Sequence, residues 1–373
     1  MMRTHVVVAA ACGLVSLAAA LRAADTWPRG LPKDLWELLV PPENPLSAEK
    51  VALGRKLFFD KRLSKDGTVS CASCHDPAHG FSDGKRVSEG VGGKKGARNA
   101  PTVLNAVFNE FQFWDGRAGS LEEQSKGPMT NPVEMAADSH DAVVATLKAA
   151  PDYAAEFREV FGRDVTIDDV AAAIASFERT VVSGDSPFDR FMAGDKSALS
   201  DSAQRGWALW NGKARCNTCH PFGDATPNFS DNKFHNIGVA AKGRDFGALA
   251  RQAAAESDPQ KLAFHPDFTE LGRYVVTRQP KDIGAFKTPG LRDVALSPPY
   301  MHDGSEKTLL DVVAFYDKGG EPNPYLDGGI VPLKLTEDEK KDLVAFMESL
   351  TGQGAGSPTR AELQDPTRKE GGK

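Results

Sequence analysis

The sequence predicts a mostly α-helical protein made of two similar halves with long loops. Three observations predict it. Capped, helically periodic segments recur along the chain, strand signals are sparse, and the motif C-x-x-C-H occurs twice, each time behind a similar apolar segment. The 373 residues suffice for two domains of ordinary size. An apolar fraction of 40% and a charged fraction of 26% are those of a globular chain. A net charge of −6 and a pI near 5.8 argue against nucleic acid as a partner and suit a basic protein instead.

Taken in order, the first element is an export signal. Arg3 and His5 precede an apolar run from Val6 to Leu21 that ends in small residues, with cleavage between Ala20 and Ala24, so 1–24 is assigned to the signal. The run is short for a membrane span, and no later segment is long and apolar enough to be one. An uncleaved anchor, or lipid attachment at Cys12, are the alternatives. Next comes a helix capped by Ser47, with Val51, Gly54 and Phe58 on one face. Its run Gly54-Arg-Lys-Leu57-Phe58 is echoed later by Gly206-Trp207-Ala-Leu209-Trp210. Thr166 and Asp169 make a capping pattern ahead of Ile167, Val170, Ile174, Phe177 and Val181. Thr308 and Asp311 do so ahead of a face formed by Leu309, Val312, Val313 and Tyr316. Thr336 and Glu339 repeat it before Leu343, Phe346, Met347 and Leu350. Residues 352–373 are rich in Gly, Pro and charge and read as a disordered tail.

The chemistry lies in the cysteines. Of Cys12, Cys71, Cys74, Cys216 and Cys219, export removes the first and leaves four, all in the two motifs, so no structural disulfide remains. Cys71-Ala-Ser-Cys74-His75 and Cys216-Asn-Thr-Cys219-His220 carry the attachment signature of c-type haem: two thiols form thioethers and the adjacent histidine becomes the proximal iron ligand. Zinc binding and a redox C-x-x-C are the competing readings. Two copies, each followed directly by histidine in an exported chain, favour haem. The expected fold is therefore two cytochrome c-like domains, each with one covalently bound haem c. The N-terminal domain is assigned to 25–184, joined by the C-terminal helix 330–351. The C-terminal domain is assigned to 185–329.

From about Pro45 to Leu350 the chain resembles the bacterial di-haem cytochrome c peroxidase family, including its MauG branch. The resemblance rests on Arg98-Asn99-Ala-Pro101-Thr102, Phe113-Trp114-Asp115-Gly116-Arg117, Glu123-Gln124-Ser-Lys-Gly127-Pro128 and Val133-Glu134-Met135. It extends to Phe286-Lys287-Thr288-Pro289 and Pro299-Tyr300-Met301-His302-Asp303-Gly304. It implies that the first haem reacts with hydrogen peroxide and the second transfers electrons. It places Trp114 between the haems, and Gln124, Pro128 and Glu134 in the peroxide-side pocket. Cleavage of a peroxide O–O bond needs a proton taken from one oxygen and given to the other, and a positioned carboxylate can do both, so Glu134 is the candidate acid–base. The resemblance further implies a calcium ion held by the Asn99 side chain and the carbonyls of Ser297 and Pro299, a donor set of hard oxygens.

Two departures set the subtype. Ordinary members keep a histidine in the loop after the first motif that closes the sixth position of that iron. Here Val91 stands in its place, in Ser88-Glu-Gly90-Val91-Gly92-Gly93, and no histidine occurs between His79 and His140. His79 reads as a local or surface residue. Ordinary members also use methionine as the far ligand of the second haem, and the matching position is Tyr316. A tyrosinate is an anionic donor that favours the ferric and higher states. Met301 is the rival ligand. Both departures are MauG-like. A third comparison differs: the MauG branch has a tryptophan two residues before its second motif, where this chain has Ala214, although Trp207 and Trp210 are near. The expected function is a periplasmic peroxide-dependent oxidoreductase that forms a high-valent di-haem state and oxidises a partner protein. The alternatives are a peroxide-scavenging peroxidase fed by a cytochrome c or cupredoxin, and a plain electron-transfer cytochrome.

Overall fold

The computed structural model describes residues 27–352. The expected signal 1–24 with Cys12, and all but Gly352 of the expected tail, lie outside the described residues. The described chain is mostly helical. Its strands are β1 (Phe234–His235) and β2 (Phe286–Lys287), antiparallel, with Phe234 opposite Lys287 and His235 opposite Phe286. The helices that position the site are α1 (Ala48–Phe59), α2 (Leu121–Thr130), α3 (Ile167–Thr180), α4 (Asp201–Asn211), α5 (Leu309–Asp317) and α6 (Glu337–Glu348). Among the described residues no helix is long and apolar enough to cross a membrane.

The helices start where their caps predict. Ser47 Oγ accepts from the Lys50 N–H, and the hydroxyls of Thr166, Thr308 and Thr336 accept from the N–H groups of Asp169, Asp311 and Glu339. At α5 and α6 the acid returns the bond, accepting from the Thr308 N–H at 2.9 Å and the Thr336 N–H at 2.7 Å.

The sequence echo is a repeated helix crossing. A Cβ on Gly54 of α1 would lie 1.8 Å from the Ala173 carbonyl oxygen of α3, and one on Gly206 of α4 would lie 2.0 Å from the Asp342 oxygen of α6. Only a residue without a side chain lets each pair approach so closely. One turn further on, the Phe58 ring lies 5.2 Å from Phe177, and the Trp210 ring 5.1 Å from Phe346. One core thus gathers Leu57, Phe58, Ile174 and Phe177, and another Trp210, Phe229, Leu343 and Phe346. A third cluster forms around Phe246, Leu271, Tyr274 and Phe286.

This corrects one expectation. The segment 330–351 was assigned to the N-terminal domain, but α6 packs on α4, and Leu343, Phe346, Met347 and Leu350 belong to the second core. The reason is steric. The glycine-lined face of α1 is already covered by α3, whereas the matching face of α4 is the one that α6 fills.

Gly206→Ala should therefore cost about 1–3 kcal/mol through overpacking. It should lower the urea midpoint of the purified protein in far-ultraviolet circular dichroism. Ala208→Ser, exposed on the same helix, serves as the control. Equal midpoints for Gly206→Ala and the parent would refute the close crossing.

Candidate functional site

Both motifs build the same local device. Cys71–Cys74 forms one helical turn behind Ser70, and Cys216–Thr218 forms a tighter one. In each, the histidine N–H donates to the carbonyl of the first cysteine at 2.9 Å. The His75 Nδ1 lies 3.2 Å from the Phe81 carbonyl oxygen, and the His220 Nδ1 lies 2.8 Å from that of Phe229. An Nδ1–H donating to a carbonyl fixes the tautomer and leaves the Nε2 lone pair for a metal. Phe81 and Phe229 both hold left-handed backbone, with φ of 58° and 55°. A bulky residue rarely adopts that conformation. Its recurrence at the same step of both halves ties the strain to holding the histidine ring. Phe58 backs His75 at 6.5 Å, and Trp210 backs His220 at 5.9 Å.

The donor chemistry fits haem c better than its rivals. The four cysteines form no disulfide. Burial pushes the Cys74 thiol up to about 11, the Cys216 thiol up to about 12, and that of Cys71 higher still. Zinc and redox sites need thiolates, which such surroundings disfavour, whereas thioether formation leaves a neutral sulfur. Burial also lowers both motif histidines, His220 to about 4, so each is a neutral imidazole. Among the described residues the only convergent group of three potential metal ligands is Cys219, Asp231 and His235, and neither motif histidine belongs to it.

The second motif opens on a cavity of about 250 Å³ lined by Cys216, Cys219 and His220. Leu309, Val312, Val313 and Tyr316 of α5 all line it, so the predicted face is the one that points inward. Burial, then the charges of Cys219 and Cys216, raises the Tyr316 hydroxyl. Met301 lines the same cavity. So does Met347 of α6, whose counterpart after Phe177 in α3 is Glu178. Trp114, Asn99, Ser297 and Pro299 also reach this wall. The Trp114 Nε1–H donates to the Asn99 carbonyl at 2.9 Å, and the Asn99 side-chain nitrogen donates to the Lys85 carbonyl at 2.9 Å. That leaves the Asn99 amide oxygen as an acceptor. Ala214 is buried, while Trp207 and Trp210 belong to the second core.

At the first motif the loop bearing Val91 closes on Glu134. The Val91 N–H donates to the Glu134 carbonyl at 2.8 Å. Gly90 sits so close that a Cβ there would lie 2.3 Å from the same oxygen. Burial raises the Glu134 carboxyl, against the opposing pull of Arg117 and an Asn131 hydrogen bond. The Glu134 charge in turn contributes to raising Cys71 and Cys74. Gln124 and Pro128 stand one turn apart on α2. The Pro128 carbonyl accepts from the Met135 N–H at 3.2 Å, tying α2 to the Glu134 block. His79 is exposed and lies 3.3 Å from Asp76, the local role its position predicts.

Sequence reasoning missed three groups. Glu178 is buried where its charge acts on Cys71, its Oε2 has no hydrogen-bond partner, and burial pushes it up to about 8. His235 lies between Asp327 at 2.6 Å and Asp231 at 3.0 Å, and the Asp231 bond leads the causes that raise it to about 11. Lys287 is buried in the wall of the cavity at the second motif. The Phe286-Lys287-Thr288-Pro289 block was a signal for the last, although its charge had no assigned use.

Comparison with known proteins supplies a family. The family described as di-haem cytochrome c peroxidase matches residues 48–197. The chain is 44% identical to the methylamine utilization protein MauG of Methylorubrum extorquens, over 90% of this chain and 86% of that one. It is 42% identical to the cytochrome-c peroxidase IdrP1 of Denitromonas iodatirespirans, over 84% of each. Among solved structures, a MauG-like protein associated with microbial copper homeostasis aligns with a TM-score of 0.73 at 33% identity, covering 92% of this chain and 98% of that one.

Proposed function

The chain belongs to the di-haem cytochrome c peroxidase family that includes MauG, and from that premise we propose that it is a periplasmic, MauG-like oxidoreductase that uses hydrogen peroxide to oxidise a partner protein. The observation that carries this reading is the closure of the Val91 loop on Glu134. It joins Val91, which stands where a histidine would, to a half-buried Glu134 whose charge acts on Cys71 and Cys74 of the first motif.

Cys71, Cys74 and His75 would hold the first haem, and Cys216, Cys219, His220 and Tyr316 the second. Asn99, Ser297 and Pro299 would hold calcium. When bound, the haems supply peroxide reduction at one iron and storage of oxidising equivalents across both. The protein residues do the rest. A Glu134 carboxylate oxygen accepts the proton from one peroxide oxygen and returns it to the other. Gln124 and Pro128, one turn apart on α2, wall the pocket and limit water. Trp114 passes electrons between the sites, and Tyr316 disfavours reduction of the second. A scavenging peroxidase drawing on a cytochrome c or cupredoxin is the second reading, supported by the similarity to IdrP1.

Electron paramagnetic resonance of the resting ferric protein tests the assignment. One high-spin and one low-spin haem are expected, and Tyr316→Phe should change the low-spin signal while both haems stay attached. Two low-spin haems in the parent, or an unchanged low-spin signal in Tyr316→Phe, would refute it. Rapid peroxide turnover with a reduced cytochrome c would favour scavenging.

A further inference from the structure

We propose that Lys287 is the internal counter-ion of the second haem, its ammonium pairing with a propionate carboxylate and favouring reduction of that iron. The inference rests on the di-haem reading above.

Lys287 is 8% exposed and lines the cavity that holds Cys219, His220 and Tyr316. Its neighbour Phe286, which belongs to the third core and stacks on His302 at 3.7 Å, and the following Thr288 line the same cavity. The strand is firmly held. The Lys287 N–H donates to the Trp114 carbonyl at 2.8 Å, the Thr288 N–H to the Lys233 carbonyl at 2.9 Å, and the Ser230 hydroxyl to the Thr288 carbonyl at 2.8 Å.

Among the described residues no carboxylate forms an ion pair with Lys287. Asp231 and Asp327 are both engaged by His235, itself a residue of the cavity wall. Burial alone draws the ammonium down to about 8, and its charge reaches His220. A buried ammonium is costly unless an anion meets it. The group expected in this cavity carries two propionate carboxylates. A cation beside the haem edge favours the reduced iron, against the pull of Tyr316. The two residues would then set the potential from opposite sides, with Lys287 joined through its backbone to Trp114.

The test uses full-length, haem-loaded protein as parent, Lys287→Met, Lys287→Gln and Lys287→Arg. Haem per chain is measured first by the pyridine haemochrome assay, and the second haem is then titrated by spectroelectrochemistry. The Met and Gln variants should be harder to reduce by about tenfold in the equilibrium constant, about 59 mV for one electron, with Arg close to the parent. Loss of the second haem in Met and Gln but not Arg would also support the pairing. An unchanged potential in both neutral variants, or the same loss in Arg, would overturn it. A parent without two haems would instead sink the di-haem reading.

Discussion

Replacing Glu134 by glutamine should slow the single-turnover reaction with hydrogen peroxide by about a hundred- to ten-thousand-fold, the usual worth of general acid–base help. Glutamine keeps the shape and can still hydrogen-bond, but it cannot accept a proton. The surroundings suit a proton carrier. Burial raises the Glu134 carboxyl, while Arg117 and Asn131 keep the rise in check. The sign of the pH dependence follows. Below its raised pKa the carboxyl already holds a proton and cannot take one from peroxide, so the parent rate should climb as pH rises through that value. In Glu134→Gln the climb should vanish along with most of the rate. Stopped-flow absorbance across the acidic and neutral range measures both. A variant within a few-fold of the parent, with the same pH profile, would reject the role.

The parts of this site that were legible in the sequence are those set by local chemistry. Thr308 and Asp311 cap α5 because a hydroxyl and a carboxylate three residues apart satisfy two free N–H groups whatever lies around them. That start fixes the face that carries Tyr316. The repeated glycine was visible as an echo, but its cause was not. Nothing at Gly206 names Asp342 as the neighbour, and so α6 was assigned to the wrong half. The buried charges were illegible for a related reason. Glu178 follows Phe177 on an amphipathic helix, where a charge ordinarily meets solvent, and only the fold buries it where its charge acts on Cys71. Lys287 stands in a two-residue strand too short for any alternation pattern, so its inward turn depends on the pairing with β1. Val91 was visible as a missing histidine, yet its bond to Glu134 joins segments far apart in sequence.

Trp114→Phe should uncouple the two sites. The tryptophan has ties toward both sites. It lines the cavity at the second motif, and its carbonyl accepts from Lys287. Three residues on, Arg117 lies 3.5 Å from the Phe113 ring and acts on Glu134 at the first site. Phenylalanine keeps much of the apolar volume but is far harder to oxidise, and it loses the indole bond to Asn99. As a mere packing residue, Trp114 would cost the variant about 1 kcal/mol for that bond plus a small cavity, and leave the optical response intact. As a relay, the first haem should react with peroxide at the parent rate while the second no longer changes with it. That second response should slow by tenfold or more, a barrier higher by at least about 1.4 kcal/mol. Stopped-flow spectra resolve the two haems, and urea unfolding separates lost stability from lost coupling. A well-folded Trp114→Phe protein whose two haems still respond together would leave Trp114 with packing as its only role.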